Sequence, residues 1–245
     1  MDQFTLKQYI RSNPDAKLRD IVVQLLYDEI INLKLVPGTK LNVNQISSSL
    51  GISRTPVAEA ISRLTEVGFV VQHEGQSGSF VLSLDLKDMI NLYRVRIAIE
   101  SEAAALCASA ADEATVRKLY SLAEAFKDSV LSKDIQGMKD TDMPFHRLII
   151  DSCGNPYLIQ SYEQILPKLT MYQSSMLRFL GNSGSENNPW MPSVLYNHVS
   201  IVSAIRMRMP ALARQSMNEH VDASLNFTAL SGNGGDPFLS MAEND

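Results

Sequence analysis

Four side chains in the second half of the chain have the types and spacings that hold a divalent cation. Asp142 and His146 stand four apart in DMPFHRLIIDSCGN, so one helix presents both on a single face. That face continues through Ile149 and Cys153, which marks it as the buried one. His198 falls on the apolar stripe Val194, His198, Ile201, Ile205, and His220 on Ala213, Met217, His220. Taken singly, each imidazole reads as a core residue. Together, three buried imidazoles and a carboxylate need a shared partner, and a divalent metal is the simplest one. Three nitrogens and one oxygen without a thiolate suit Zn²⁺, Ni²⁺, Co²⁺ or Mn²⁺, which the sequence does not distinguish. Such a site could receive an anionic ligand, activate water as in a metal-dependent hydrolase, or serve structure alone. No HExxH-type base accompanies the ligands, and Glu219, next to His220, points about 100° away on a helix.

Arg96 lies on the stripe Leu92, Arg96, Ile99, Ala103, so its guanidinium is aimed inward, where a bidentate anion is a natural partner. Glu100, four residues on, offers an internal ion pair instead. Arg178 reads as a solvated helix-end charge. Cys107 and Cys153 lack metal-type spacing and read as small core residues.

The elements that would carry these residues are helical. Asp85 with Asp88 caps a long helix reaching about Ala110, and Asp112 caps the next, whose inner positions are Val116, Leu119, Ala123, Phe126 and Val130. Further helices are expected at about 134–152, 156–180, 193–208 and 210–229, forming an antiparallel helical bundle. Gly181–Pro192 reads as a polar loop whose Trp190 packs on the bundle, and 231–245 as a disordered tail.

Ahead of the bundle the pattern changes. A first helix is expected over Lys17–Leu35, with Leu18, Ile21, Val22, Leu25 and Ile30 as its apolar face. Ile46 and Leu50 mark a short second helix, Gly51 a tight turn, and Thr55-Pro56 the cap and first position of a third helix with Val57, Ile61 and Leu64 inward. Gly68 stops that helix before a hairpin of Phe69–Val71 and Ser79–Leu82 closed by the loop His73–Gly78. Helix-turn-helix geometry places the third helix in a DNA major groove with Arg54 at its start.

The stretch SRTPVAEAISRLTEVGFV, with PGTKL ahead of it and GSFV behind, resembles the winged-helix domain of GntR-type bacterial transcription regulators over about residues 17–82. YRVRIAIESEAAALCA, the DMPFHRLIIDSCGNPYL segment and HVSIVSAI followed by ARQSMNEH look like the effector-binding FCD domain of the FadR-like branch, over about residues 85–228. The resemblance implies a metabolite-sensing repressor, not an enzyme. It assigns a metal to Asp142, His146, His198 and His220, with coordination positions left for a small organic-acid effector and Arg96 contacting that effector. The DNA-contacting set is Asn44, Ser53, Arg54, Thr55 and Arg63. Asn44, Ala58 and Ser77 stand where the family usually carries arginine, so operator sequence does not transfer from relatives.

The fold class is therefore mainly α: an N-terminal winged helix-turn-helix over 1–82, with 1–16 as an arm, and an all-helical effector-binding and dimerisation domain over 83–230. A homodimer on an inverted repeat of double-stranded DNA is expected, because one recognition helix reads a short half-site. Residues 1–82 carry eight Lys/Arg against eight Asp/Glu, which excludes a strongly basic patch and implies a shallow salt dependence. With 45% hydrophobic and 20% charged residues, no long apolar run and no signal-like N-terminus, a cytoplasmic protein without a membrane partner is expected.

Overall fold

The computed structural model describes residues 1–182 and 197–231, grouped into two compact units. The first comprises Met1–Leu84 and Pro167–Ser174; the second comprises Asp85–Leu166 and resumes at Ser175. Trp190, the rest of its loop from 183 and the tail from 232 lie outside the described residues, as does the Arg178 side chain.

In the first unit, α1 (Gln3–Ser12), α2 (Leu18–Ile31), β1 (Lys40–Leu41), α3 (Val43–Leu50), α4 (Arg54–Glu66), β2 (Val70–Val71) and β3 (Ser79–Val81) follow one another. The strands form an antiparallel sheet in the order β1-β3-β2. Its core is the apolar set Val22, Leu25, Leu26 and Ile30 of α2 with Leu50, Val57, Leu64, Val70 and Val81. Leu18 departs from expectation: as the first residue of α2 it is exposed. Gly51 takes the left-handed conformation (φ 66°) that ends α3 and starts the turn into α4. Asn42 caps α3 by accepting from the backbone N–H groups of Asn44 and Gln45.

Two features were not legible in the sequence. The arm contains α1, held by buried Leu6 and a Tyr9 hydroxyl that donates to Asp28, with Gln3 lying against Gly51. The expected two-stranded ribbon gains β1 as a third strand.

The second unit is built of α5 (Leu86–Ala110), α6 (Glu113–Ser132), α7 (Ile135–Ser152), α8 (Pro156–Asn182, apart from its Pro167–Ser174 stretch, which groups with the first unit), α9 (Asn197–Arg206) and α10 (Pro210–Ser231). Acidic caps start three of them: Asp85 accepts from Asp88 N–H, Asp112 from Thr115 N–H and Asp134 from Gly137 N–H. The small buried run Ala103, Ala104, Cys107 and Ala108 lets α10 pack closely along α5. Gly181 and Asn182, expected in a loop, continue α8. Among the described residues no helix is long and apolar enough to cross a membrane.

Candidate functional site

Helices α7, α9 and α10 bring Asp142, His146, His198 and His220 together, their ligand atoms all within 4.8 Å of one another. His146 Nε2 is 3.1 Å from His220 Nε2, His198 Nε2 is 3.2 Å from His220 Nε2, and Asp142 Oδ1 is 3.2 Å from His198 Nε2 and 3.7 Å from His146 Nε2. Donors about 2.1 Å from one cation stand about 3.0 Å apart at a right angle and about 3.4 Å apart at the tetrahedral angle, so this set fits a metal. The three rings are buried, and His198 is held between Phe145 (4.2 Å, stacked) and Phe126 (4.4 Å).

Electrostatics favours ligation at two of the three imidazoles, His198 and His220. Burial pushes His220 well below the ordinary imidazole value, and the His198 and His146 rings push it further. His198 is lowered too, burial outweighing its bond to Asp142. At His146 burial acts downward, but the Glu100 and Asp142 carboxylates prevail and the net direction is upward. Burial raises Asp142, yet His146 and His198 hold it well below the usual carboxylate range. Buried nitrogens that resist protons are ready ligands.

Glu100 on α5 is the residue that spacing did not single out for this role. Its Oε2 lies 2.6 Å from His146 Nδ1, while its Oε1 accepts from Arg96 Nε at 2.6 Å, all buried. A carboxylate on Nδ1 fixes the tautomer that leaves Nε2 free to ligate. The ion pair weighed for Arg96 therefore forms through Nε, and Arg96 Nη2 remains buried without a hydrogen-bond partner among the described residues. The hydroxyl of fully buried Tyr162 on α8 is likewise unpartnered. Glu100→Gln keeps shape but removes the charge, and it should weaken metal binding about 10–100-fold. Competition with a chromophoric chelator measures this; unchanged affinity assigns Glu100 to Arg96 alone.

The two cysteines are both buried, and burial pushes the Cys107 thiol up to about 12, which keeps it an unreactive thiol.

In the first unit, Asn44, Ser53, Arg54 and Thr55 are all exposed around the α3–α4 turn. One detail is corrected: Ser53, not Thr55, occupies the N-cap position, so α4 begins at Arg54 and Pro56 is its third residue. Proline is tolerated there because the first-turn N–H groups have no intrahelical acceptor. Arg63, exposed near the end of α4, is engaged by Glu66 at 2.8 Å.

A four-helix unit with a small antiparallel wing, joined to an all-helical unit carrying an inward donor set, is the architecture of a DNA-binding regulator with a sensing module. Residues 18–81 match the gntR family of bacterial regulatory proteins, and residues 91–223 match the FCD domain. The chain belongs to this family, as a GntR-type regulator with an FCD domain. It is 25% identical over 209 residues to the HTH-type transcriptional repressor RspR of Escherichia coli K12, covering 85% of this chain and 88% of that one. It is also 25% identical to the gluconate operon transcriptional repressor of Bacillus subtilis, covering 79% and 77%. The fold is similar to that of E. coli McbR/YncC (TM-score 0.69, 19% identity, 88% of this chain and 99% of that one). Members of this family regulate transcription and are not enzymes, so the hydrolase alternative falls.

Proposed function

We propose that the protein is a cytoplasmic, dimeric transcriptional repressor that senses a small carboxylate through its FCD domain. Residues 1–82 bind an inverted-repeat operator, and residues 83–230 dimerise and receive the effector. Asp142, His146, His198 and His220 would hold a divalent metal, which when bound supplies an anion-attracting centre. Arg96 would orient the effector by donating from Nη2 while Nε stays on Glu100. The observation that carries this reading is the buried guanidinium nitrogen left unpaired near the donor set, together with the unpaired Tyr162 hydroxyl. Buried donors without acceptors cost about 1–3 kcal/mol each, and an entering oxygen-rich anion removes that cost. Repression is supported by the names of relatives such as RspR and the gluconate operon repressor.

Binding becomes regulation only if the effector prefers one arrangement of the chain; a tenfold change in operator affinity corresponds to about 1.4 kcal/mol of coupling. Two measurements test the reading. Selection from genomic DNA with the pure protein should enrich a palindrome, and Arg54→Ala should weaken binding to it by about 1–3 kcal/mol. Gluconate and other mono-, di- and hydroxy-carboxylates should raise the melting temperature of metal-loaded protein and shift operator binding, and Arg96→Ala should abolish both responses. No palindrome overturns the DNA reading. A palindrome with no response to any acid reduces the metal to a structural part.

A further inference from the structure

The cations of the helix-turn-helix face are fewer than its class of partner demands. Asn44, Ala58 and Ser77 bring no charge, and Arg63 is held by Glu66, Arg19 by Asp20 and Lys34 by Glu29. Arg54, at the start of α4, has no carboxylate partner among the described residues, and on the wing neither has Lys40, which is exposed on β1.

Strand register sets where Lys40 points. Lys40 pairs with Phe80, and Phe80 with Val71, so these three side chains share one face of the sheet. Leu41, Val70 and Val81 occupy the other face and are buried. Lys40 is therefore on the outer face of the wing, with its Nζ 5.7 Å from the centre of the Phe80 ring. His73 leans on the same ring at 5.2 Å. The lysine stem runs across Gly78: a Cβ built there would be 2.8 Å from Lys40 Cε. Gly78 itself has φ +120°, a conformation open to glycine. The absence of a side chain at 78 thus serves both the turn and the path of the lysine.

We propose that Lys40 is the wing's contact to the DNA phosphate backbone, supplying from β1 the charge that Ser77 does not supply from the loop. The proposal rests on the DNA-binding reading and adds a residue to it. A compact ammonium suits a phosphate oxygen, not a two-point grip on a base edge, so Lys40 positions the wing and reads no sequence. Lodging the stem between Phe80 and Gly78 reduces the rotamer freedom lost on contact.

The test uses fluorescence anisotropy of the full chain on two duplexes, a random-sequence 30-mer and the palindrome selected with the wild type, between about 50 and 200 mM salt. Lys40→Ala should weaken binding to both roughly three- to tenfold and flatten the slope of log K against log salt by about 0.9. Lys40→Arg should restore the slope, and Gly78→Ala should reproduce the loss by displacing the stem. Lys7→Ala, an exposed charge on α1, should leave the slope unchanged. An unaltered melting temperature for Lys40→Ala shows that the fold is intact. Wild-type slope and affinity in Lys40→Ala overturn the role of Lys40 alone; a wild-type chain that binds neither duplex overturns the DNA-binding reading and this proposal with it.

Discussion

Replacing both His146 and His198 by alanine should leave the protein without metal, where the wild type holds about one equivalent per chain. Two of four donors are lost, and the remaining Asp142 and His220 come from different helices with no third ligand to fix them. The stabilisation that a metal confers should vanish as well; at a free-metal concentration a thousand times Kd it amounts to about 4 kcal/mol. Part of any lost stability has another source, because the His198 ring fills space between Phe145 and Phe126. The decisive comparison is therefore the shift on adding metal to each protein, not their absolute melting temperatures. Asp142→Asn gives a second route: it leaves the rings packed but removes the only anionic donor of the set, so affinity should fall, and the metal-free protein should lose only what the carboxylate gains from the His146 and His198 rings. Elemental analysis that finds wild-type metal content in the double variant excludes this site.

Much of this site could be read from spacing alone. Asp142 and His146 one turn apart, and histidines on the apolar stripes of two further helices, already required that three elements aim polar groups into one core. Periodicity also located the caps Asp85 and Asp112 and the Gly51 turn, since those signals are local. What it did not reveal was non-local. Glu100 could be paired with Arg96 from sequence because both lie on α5, but its second oxygen meets His146 only when α5 packs against α7. The two-residue strand β1 has no periodic signature, and Lys40 acquires its place from pairing with a strand some forty residues on. At the start of α4 a favourable residue pair, Thr55-Pro56, suggested a cap one step inside the helix; Ser53 lies two residues earlier in an extended conformation and takes the position instead. The arm's helix was missed for a similar reason: a single buried residue, Leu6, anchors it, too few for a stripe.

Acid should destabilise the metal-free protein well before its carboxylates titrate. His198 and His220 have values lowered by burial, so between the ordinary imidazole value of 6.5 and their own lower ones the unfolded chain binds protons that the native chain does not. Stability then falls as pH drops, by at most about 1.4 kcal/mol per pH unit for each group while the pH lies between its two values. His146 has the opposite sign: its value is raised, its contribution is fully present below 6.5, and it is lost only as pH rises through the raised value, so it does not offset the loss. Asp142 and Glu100, both held below their ordinary values of 3.8 and 4.5, add their own loss only as pH falls below that range. The histidine effect therefore sets in below about pH 6.5, above the range in which these two carboxylates titrate. Urea unfolding in chelator at about pH 7, 6 and 5 should show it, with His220→Ala removing that residue's share of the slope. Saturating metal should add most at neutral pH, because ligation needs all three rings neutral, and the loaded and metal-free curves should converge on acidification. The rings are buried among each other and the phenylalanines, so a metal-free stability that stays flat from pH 7 to 5 would show these two imidazoles taking up protons in the native core as readily as in the open chain, and would overturn this expectation.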